Sequence, residues 1–222
     1  MNEAPKDLNS LLTNARNLQD KTLAQAAQLL GLSVPDNLHH MKGFIGHLFE
    51  LLLGADAGCE SRPDFTHLGV ELKTLPVDAQ LRPLESTYVC TVPLQNLRGL
   101  YWEQSVPKKK LAHVLWVPVL TEAGVPIAER KILPPFLWKP DSEQEAALKT
   151  DFEELIELIA TGQLASITAS IGSVLHIRPK AAHGKVLTSG IDAEGELSDT
   201  LPRGFYLRQN FTRELLLSEK SG

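Results

Sequence analysis

Apolar residues recur at helical spacing through the N-terminal part of the chain. Leu8, Leu11, Leu12, Ala15 and Leu18 fall on one stripe and predict a first helix. Residues 23–30 predict a second, ended by Gly31, and residues 43–53 a third, with Gly54 as its stop. The period then shortens to two. In residues 68–75, Val70, Leu72 and Thr74 alternate with Glu71 and Lys73, as on a strand with one apolar and one charged face. Residues 86–92 and 113–119 are β-branched and apolar and read as buried strands. Residues 95–110 between them have no clear period and read as irregular. Pro134, Pro135 and Pro140 punctuate a loop. Helical spacing returns over residues 141–161, with Asp141 or Ser142 as N-cap, Gly162 as stop and the acids on a solvated face. Strands are expected at 174–177 and 204–208, and a last helix after Asn210 or Thr212. This order points to an α/β protein with helices around a mixed sheet.

Composition narrows the class. The chain has 222 residues, enough for one large domain or two lobes sharing a core. Its hydrophobic share of 43% and charged share of 22% are those of a globular protein. Two cysteines, Cys59 and Cys90, cannot build a secreted disulfide framework. The N-terminal residues do not form a signal peptide and no apolar run reaches membrane-spanning length, so a cytoplasmic location without membrane contact is expected. The net charge of −5 excludes a highly basic nucleic-acid binder. The charge is unevenly spread, however. Residues 104–121 hold Lys108, Lys109 and Lys110 and no acid. Residues 172–191 hold Arg178, Lys180 and Lys185 and no acid, whereas acids crowd residues 141–157. A locally positive DNA-binding surface on an acidic protein fits this distribution.

The candidate chemistry lies in residues 63–73. Asp64 precedes Glu71 by seven residues, with Gly69 between them, which leaves room for a turn that brings the two carboxylates together. Adjacent carboxylates repel unless a proton or cation lies between them, and hard oxygen donors suit Mg²⁺. Lys73, on the face of Glu71, could orient or deprotonate an attacking water or contact a scissile phosphate. Glu-x-Lys on a strand also fits a solvated ion pair. Glu50, within the third helix, fits a polar face or a group aimed into a site. Arg178, held by Pro179, could grip a base or a phosphate. Tyr206 fits a core residue with a polar tip. The seven histidines show no metal-ligand spacing, and no Ser/His/Asp triad, P-loop or dinucleotide fingerprint is present.

Several blocks, taken in order, are similar to the MutH family of mismatch-repair endonucleases, within the restriction-endonuclease-like superfamily. They are Lys42-Gly-Phe-Ile-Gly46, residues 50–54, Asp64-Phe65, residues 68–78, Arg82-Pro-Leu-Glu85, Val114-Leu-Trp-Val-Pro118, Ile177-Arg-Pro-Lys-Ala-Ala182 and Leu201-Pro-Arg-Gly-Phe-Tyr-Leu207. The resemblance runs from about residue 36 to 211. It implies a single restriction-endonuclease-like domain over residues 1–222, with two lobes around a DNA cleft. It further implies a Mg²⁺-dependent endonuclease, with Mn²⁺ or Ca²⁺ able to substitute in binding, that nicks the unmethylated strand at hemimethylated GATC sites. Asp64, Glu71 and the Leu72 carbonyl would hold the metal, Lys73 would act on the water, and Glu50 would assist. Lys42, Lys110, Arg178, Pro179, Lys180 and Tyr206 would contact DNA, Tyr206 beside the adenine that carries the methyl group. MutL would be the activating partner, downstream of MutS, and the enzyme a monomer. A GATC-specific restriction enzyme of the Sau3AI type is the nearer rival, but it cuts both strands and needs a second copy of the lobe, where this chain has one Asp…Glu-x-Lys unit. A non-catalytic DNA-binding module is the other, and the intact Asp64, Glu71 and Lys73 argue against it.

Overall fold

The computed structural model describes residues 3–37, 43–58, 61–180, 187–192 and 194–221. The chain divides into two compact units. The first comprises residues 1–85, 110–139 and 213–222, and the second residues 86–109 and 140–212.

In the first unit, α1 (Leu8–Arg16) and α2 (Leu23–Gln28) each begin with a reciprocal capping box, Asp7 with Ser10 and Thr22 with Gln25. Such caps supply partners for amide groups that a helix start leaves open, worth about 1 kcal/mol each. The third helix, α3 (Phe44–Leu53), ends at Gly54 in the left-handed region. Strand β1 (Glu71–Val77) pairs in parallel with β3 (Val114–Leu120), and β3 pairs antiparallel with β4 (Phe136–Trp138), so this sheet is mixed. The three helices bury Leu11, Leu23, Leu48, Phe49 and Leu52 in one core with Val70, just before β1, and Leu72, Leu115, Val117 and Val119 of the sheet. β3 is apolar throughout and buried except at its last residue, as expected of a strand between two neighbours. β1 is an edge strand. The Glu71 N–H bonds the His113 carbonyl, so Glu71, Lys73 and Leu75 direct their backbone groups to β3. Leu72, Thr74 and Pro76 direct theirs outward, where the missing N–H of Pro76 costs no ladder bond.

The second unit is built on an antiparallel sheet in the order β2 (Thr87–Thr91), β8 (Arg203–Leu207), β5 (Leu175–Pro179). Its buried face, with Phe205, Leu207, Leu175 and Ile177, includes Phe152 of α5 (Ser142–Ala160), whose ring centroid lies 5.5 Å from that of Phe205. β6 (Thr188–Ile191) and β7 (Leu197–Thr200) form a separate antiparallel pair. α6 (Gln209–Ser221) begins in this unit and from Arg213 belongs to the first.

Three expectations need correction. The described strands form two three-stranded sheets and one two-stranded sheet rather than one central sheet. The strand expected over residues 68–75 starts at Glu71, because residues 65–70 are taken up by a tight turn closed by a Phe65–Val70 bridge. Residues 95–110 are not wholly irregular: a short 3-10 turn at Trp102–Gln104 is followed by α4 (Val106–Leu111). Trp102 is buried beside Phe152, and the Ser105 hydroxyl accepts the Lys108 N–H to start the helix. One and a half turns of helix are too short to show a period in sequence.

Candidate active site

The turn between Asp64 and Glu71 sets the site. The Phe65 N–H donates to the Val70 carbonyl at 2.9 Å and the Val70 N–H returns to the Phe65 carbonyl at 3.3 Å. That register puts residue 64 opposite residue 71. Gly69 takes φ +64°, the left-handed value such a reversal needs. Asp56 fixes the turn from outside, accepting the Thr66 N–H at 2.8 Å and the Thr66 hydroxyl at 2.6 Å. His67 is structural, its Nε2 lying 2.6 Å from the Pro5 carbonyl.

The result is a buried cluster. Asp64 Oδ2 accepts the Leu72 N–H at 2.8 Å. Lys73 Nζ donates to Glu71 Oε1 at 2.7 Å, and Lys110 Nζ donates to Glu71 Oε2 at 2.9 Å and to the Arg62 carbonyl at 3.2 Å. Glu71 is only 2% exposed, a burial a carboxylate tolerates when paired and hydrogen-bonded as here. Asp64 has less compensation. Burial, and next the charge of Glu71, push its carboxyl up to about 6, against the pull of the Leu72 N–H, Lys73 and Lys110. Asp64 is therefore the acid at which further positive charge would be most favourable.

A divalent hard cation fits this donor set. Two carboxylates stand at one strand, and the Leu72 carbonyl points to the same strand edge as the Leu72 N–H that meets Asp64. All three donors are oxygens, and Mg²⁺ needs few from protein because it keeps waters and takes phosphate oxygens. Among the described residues no group of three or more His, Cys, Asp or Glu side chains is arranged to hold a metal ion, and none includes Glu50. Its carboxylate lies 3.1 Å from His47 Nδ1 on its own helix.

The second unit sets Arg178 and Tyr206 on one face of its sheet, and Pro179, next to Arg178 in the strand, on the opposite face with Ile177 and Phe205. Arg178 pairs with Gly204, Pro179 with Arg203, and His176 and Tyr88 each with Tyr206. The strand expected to stop at Ile177 thus runs on through Arg178 and Pro179. Pro179 sits at a position of the ladder that needs no N–H, because the inter-strand bonds fall at residues 178 and 180. The Tyr88 and Tyr206 rings meet edge to face at 5.4 Å, and both lie over Gly204, where a Cβ would come within 2.9 Å of each. Lys180 Nζ donates to the Tyr88 hydroxyl at 2.6 Å. Arg178 is exposed at the strand end. Lys42 lies outside the described residues.

Residue-by-residue reading of the sequence missed three participants. Lys110 was a DNA contact by resemblance, yet its ammonium is held on the Glu71 carboxylate. Tyr88 was read as part of a buried strand, although the alternation Thr87, Tyr88, Val89 signals an outward Tyr88, and His176 was given no part beyond that of a histidine without metal-ligand spacing. Lys108 is also less available than its acid-free stretch suggested, being paired with Glu145 at 2.7 Å.

Comparison with known proteins agrees with this picture. Residues 53–151 match the family described as DNA mismatch repair enzyme MutH. A protein of Shewanella baltica is 50% identical over 96% of this chain and 95% of its own length. One of Vibrio cholerae is 48% identical over 97% and 98%, and one of Escherichia coli 50% over 96% and 93%. Each of the three is named DNA mismatch repair protein MutH. The chain belongs to the MutH family. The matched region holds Asp64, Glu71, Leu72, Lys73 and Lys110, so the MutH match includes the whole buried cluster.

Proposed function

We propose that this chain is the DNA mismatch-repair endonuclease its MutH membership indicates, and that it nicks the unmethylated strand of hemimethylated GATC sites with Mg²⁺ held by Asp64, Glu71 and the Leu72 carbonyl. The observation that carries the proposal is the buried Asp64–Glu71 pair with Lys73 and Lys110 on one carboxylate. Bound there, Mg²⁺ would lower the pKa of water and neutralise charge developing on the phosphate. Lys73, on Glu71 Oε1, is placed to orient a water for in-line attack and to take part in its deprotonation. Lys110 holds Glu71 in place and offers positive charge to the scissile phosphate. Arg178 supplies a fork of donors for a guanine edge, Lys180 a phosphate contact, and Tyr206 a rigid wall beside the adenine amino group. Lys42 and Pro179 complete the DNA contacts that the resemblance implies.

The remaining parts of the proposal rest on the family. MutH membership would make the chain a single restriction-endonuclease-like domain that binds DNA, MutL would activate a monomer after MutS finds the mismatch, and the enzyme would work in the cytoplasm. Among the described residues no helix is long and apolar enough to cross a membrane.

The test is strand-resolved cleavage of unmethylated, hemimethylated and fully methylated GATC duplexes, with and without Mg²⁺. Nicking of the unmethylated strand that requires Mg²⁺ and stops on the fully methylated duplex is expected. Cleavage of both strands together, or cleavage indifferent to GATC, would overturn the proposal.

A further inference from the structure

A buried acid outside the catalytic cluster has more backbone partners than any helix face requires. Asp151, on α5, is 4% exposed. Its carboxylate accepts three consecutive N–H groups: Ser173 at 2.8 and 2.9 Å, Val174 at 2.7 Å and Leu175 at 2.8 Å. The Ser173 hydroxyl adds contacts at 3.3 Å to both oxygens. The same loop is held from its carbonyl side by Arg208. Arg208 Nε donates to the Gly172 carbonyl at 2.8 Å, and Nη2 donates to Ala169 at 2.6 Å and Ile171 at 3.0 Å. Gly172 makes the geometry possible: it takes φ +85°, and a Cβ there would overlap the Leu175 carbonyl.

The loop so held is the entry to β5. Three residues past Leu175 on that strand lies Arg178, and Arg208 directly follows β8, two residues after Tyr206. The Arg208 N–H also closes the ladder between the strands on the Val174 carbonyl at 2.9 Å. One node of two side chains therefore anchors the roots of both strands that carry candidate base-reading groups. His176 ties the same face to the same loop, with Nδ1 3.4 Å from the Ala169 carbonyl and Nε2 3.2 Å from the Ser86 hydroxyl.

We infer that Asp151 and Arg208 are positioning residues for sequence discrimination: they fix the β5 and β8 roots so that Arg178 and Tyr206 meet the bases in one register. The inference rests on the proposed GATC reading. A small shift at a strand root is carried to its tip, and base-edge hydrogen bonds tolerate little displacement, whereas phosphate contacts tolerate more. Weakening the node should therefore erode the preference for GATC more than it weakens DNA binding in general.

The test measures affinity for a GATC duplex and for one with a single base pair changed, in the full chain at fixed salt. Arg208→Ala and Asp151→Asn should each lower the affinity ratio about tenfold, the scale of one lost base contact, with non-specific affinity nearly kept. Arg208→Lys, which keeps donors but not the fork, should give an intermediate ratio. The double variant should lose no more than the larger single loss, because both groups act on one segment. Arg208 is only partly buried, so its variants decide the matter even where Asp151→Asn does not fold. A wild-type ratio in folded Arg208→Ala overturns the inference alone. A wild-type protein with no GATC preference overturns the proposed function, and this inference with it.

Discussion

At the scale of single residues, the chemistry depends on how four charges share a dry space. Glu71 is neutralised by two lysines at 2.7 and 2.9 Å, while Asp64 has one backbone N–H and an unfavourable neighbour. Alanine at Asp64, Glu71 or Lys73 should each lower nicking by roughly 10²-fold or more with specific DNA binding retained. Lys110→Ala should fall in the same range, measured in single-turnover nicking assays, because it leaves Glu71 buried with one partner. Near-normal nicking by Lys73→Ala would remove its assigned role. Asp64, Glu71 and Lys73 were legible in the sequence because ten consecutive residues and one turn place them. Lys110 was not legible as a Glu71 partner, since 39 residues separate the two and only the parallel pairing of β1 with β3 brings them together. Asp151 was hidden in the same way: an acid in a run of acids on a helix looks solvated until the loop it holds is known.

His176 makes a second residue-scale prediction. Burial, with the positive charges of Arg208 and Arg178, lowers its pKa from the ordinary 6.5. As pH falls through 6.5 the unfolded chain binds a proton that the folded chain refuses, so stability is intact above that value and is lost on acidification toward the folded pKa. His113 is lowered by burial and contributes with the same sign. Urea unfolding between about pH 7.5 and about pH 5.5 should show a shallower loss of stability in His176→Gln than in wild type. Equal losses in the two proteins would mean that His176 is protonated as readily in the fold as outside it.

At the scale of elements, the helices and the two long strands of the first unit could be read from periodicity and caps, because burial on one face imposes a pattern. The short pieces could not. β4 has three residues and β6 and β7 four each, too few for alternation to stand out from loop sequence. The extent of β5 was missed because proline usually ends a strand, and only the ladder shows that Pro179 falls where no N–H is needed. The turn at residues 65–70 is the element that sets Asp64 opposite Glu71 in the proposed site. Gly69→Val forces a β-branched residue to positive φ, at a cost of about 1–2 kcal/mol, and loosens the register that sets residue 64 opposite residue 71. Urea unfolding should report the first effect, and a nicking rate reduced more than DNA affinity the second. A fully active, fully stable Gly69→Val would show that the turn does not hold Asp64.

At the scale of the whole molecule, the described candidates for chemistry fall in the first unit, and those for reading sequence and methylation, Arg178, Pro179, Lys180 and Tyr206, in the second. The net charge of −5 gave no sign of this, since it averages the cationic residues with the acids of α5, of which Glu145 is paired with Lys108 and Glu153 with Lys149. The division predicts separable defects. Lys73→Ala should leave the relative affinities for unmethylated, hemimethylated and fully methylated GATC unchanged while nicking falls. Tyr206→Ser should do the reverse. An N6-methyl group replaces one amino hydrogen of adenine and adds bulk in the major groove. The Tyr206 ring stands against Tyr88 and His176 at centroid distances of 5.4 and 6.3 Å, so it is braced on two sides and resists displacement. Serine removes that wall. Nicking of fully methylated GATC should then rise relative to hemimethylated GATC, although total activity falls. The quantity to measure is the ratio of the two rates in wild type and Tyr206→Ser. An unchanged ratio would place methyl sensing elsewhere on the β5–β8 face, with Arg178 the first position to examine, and would reduce Tyr206 to a packing partner of Tyr88.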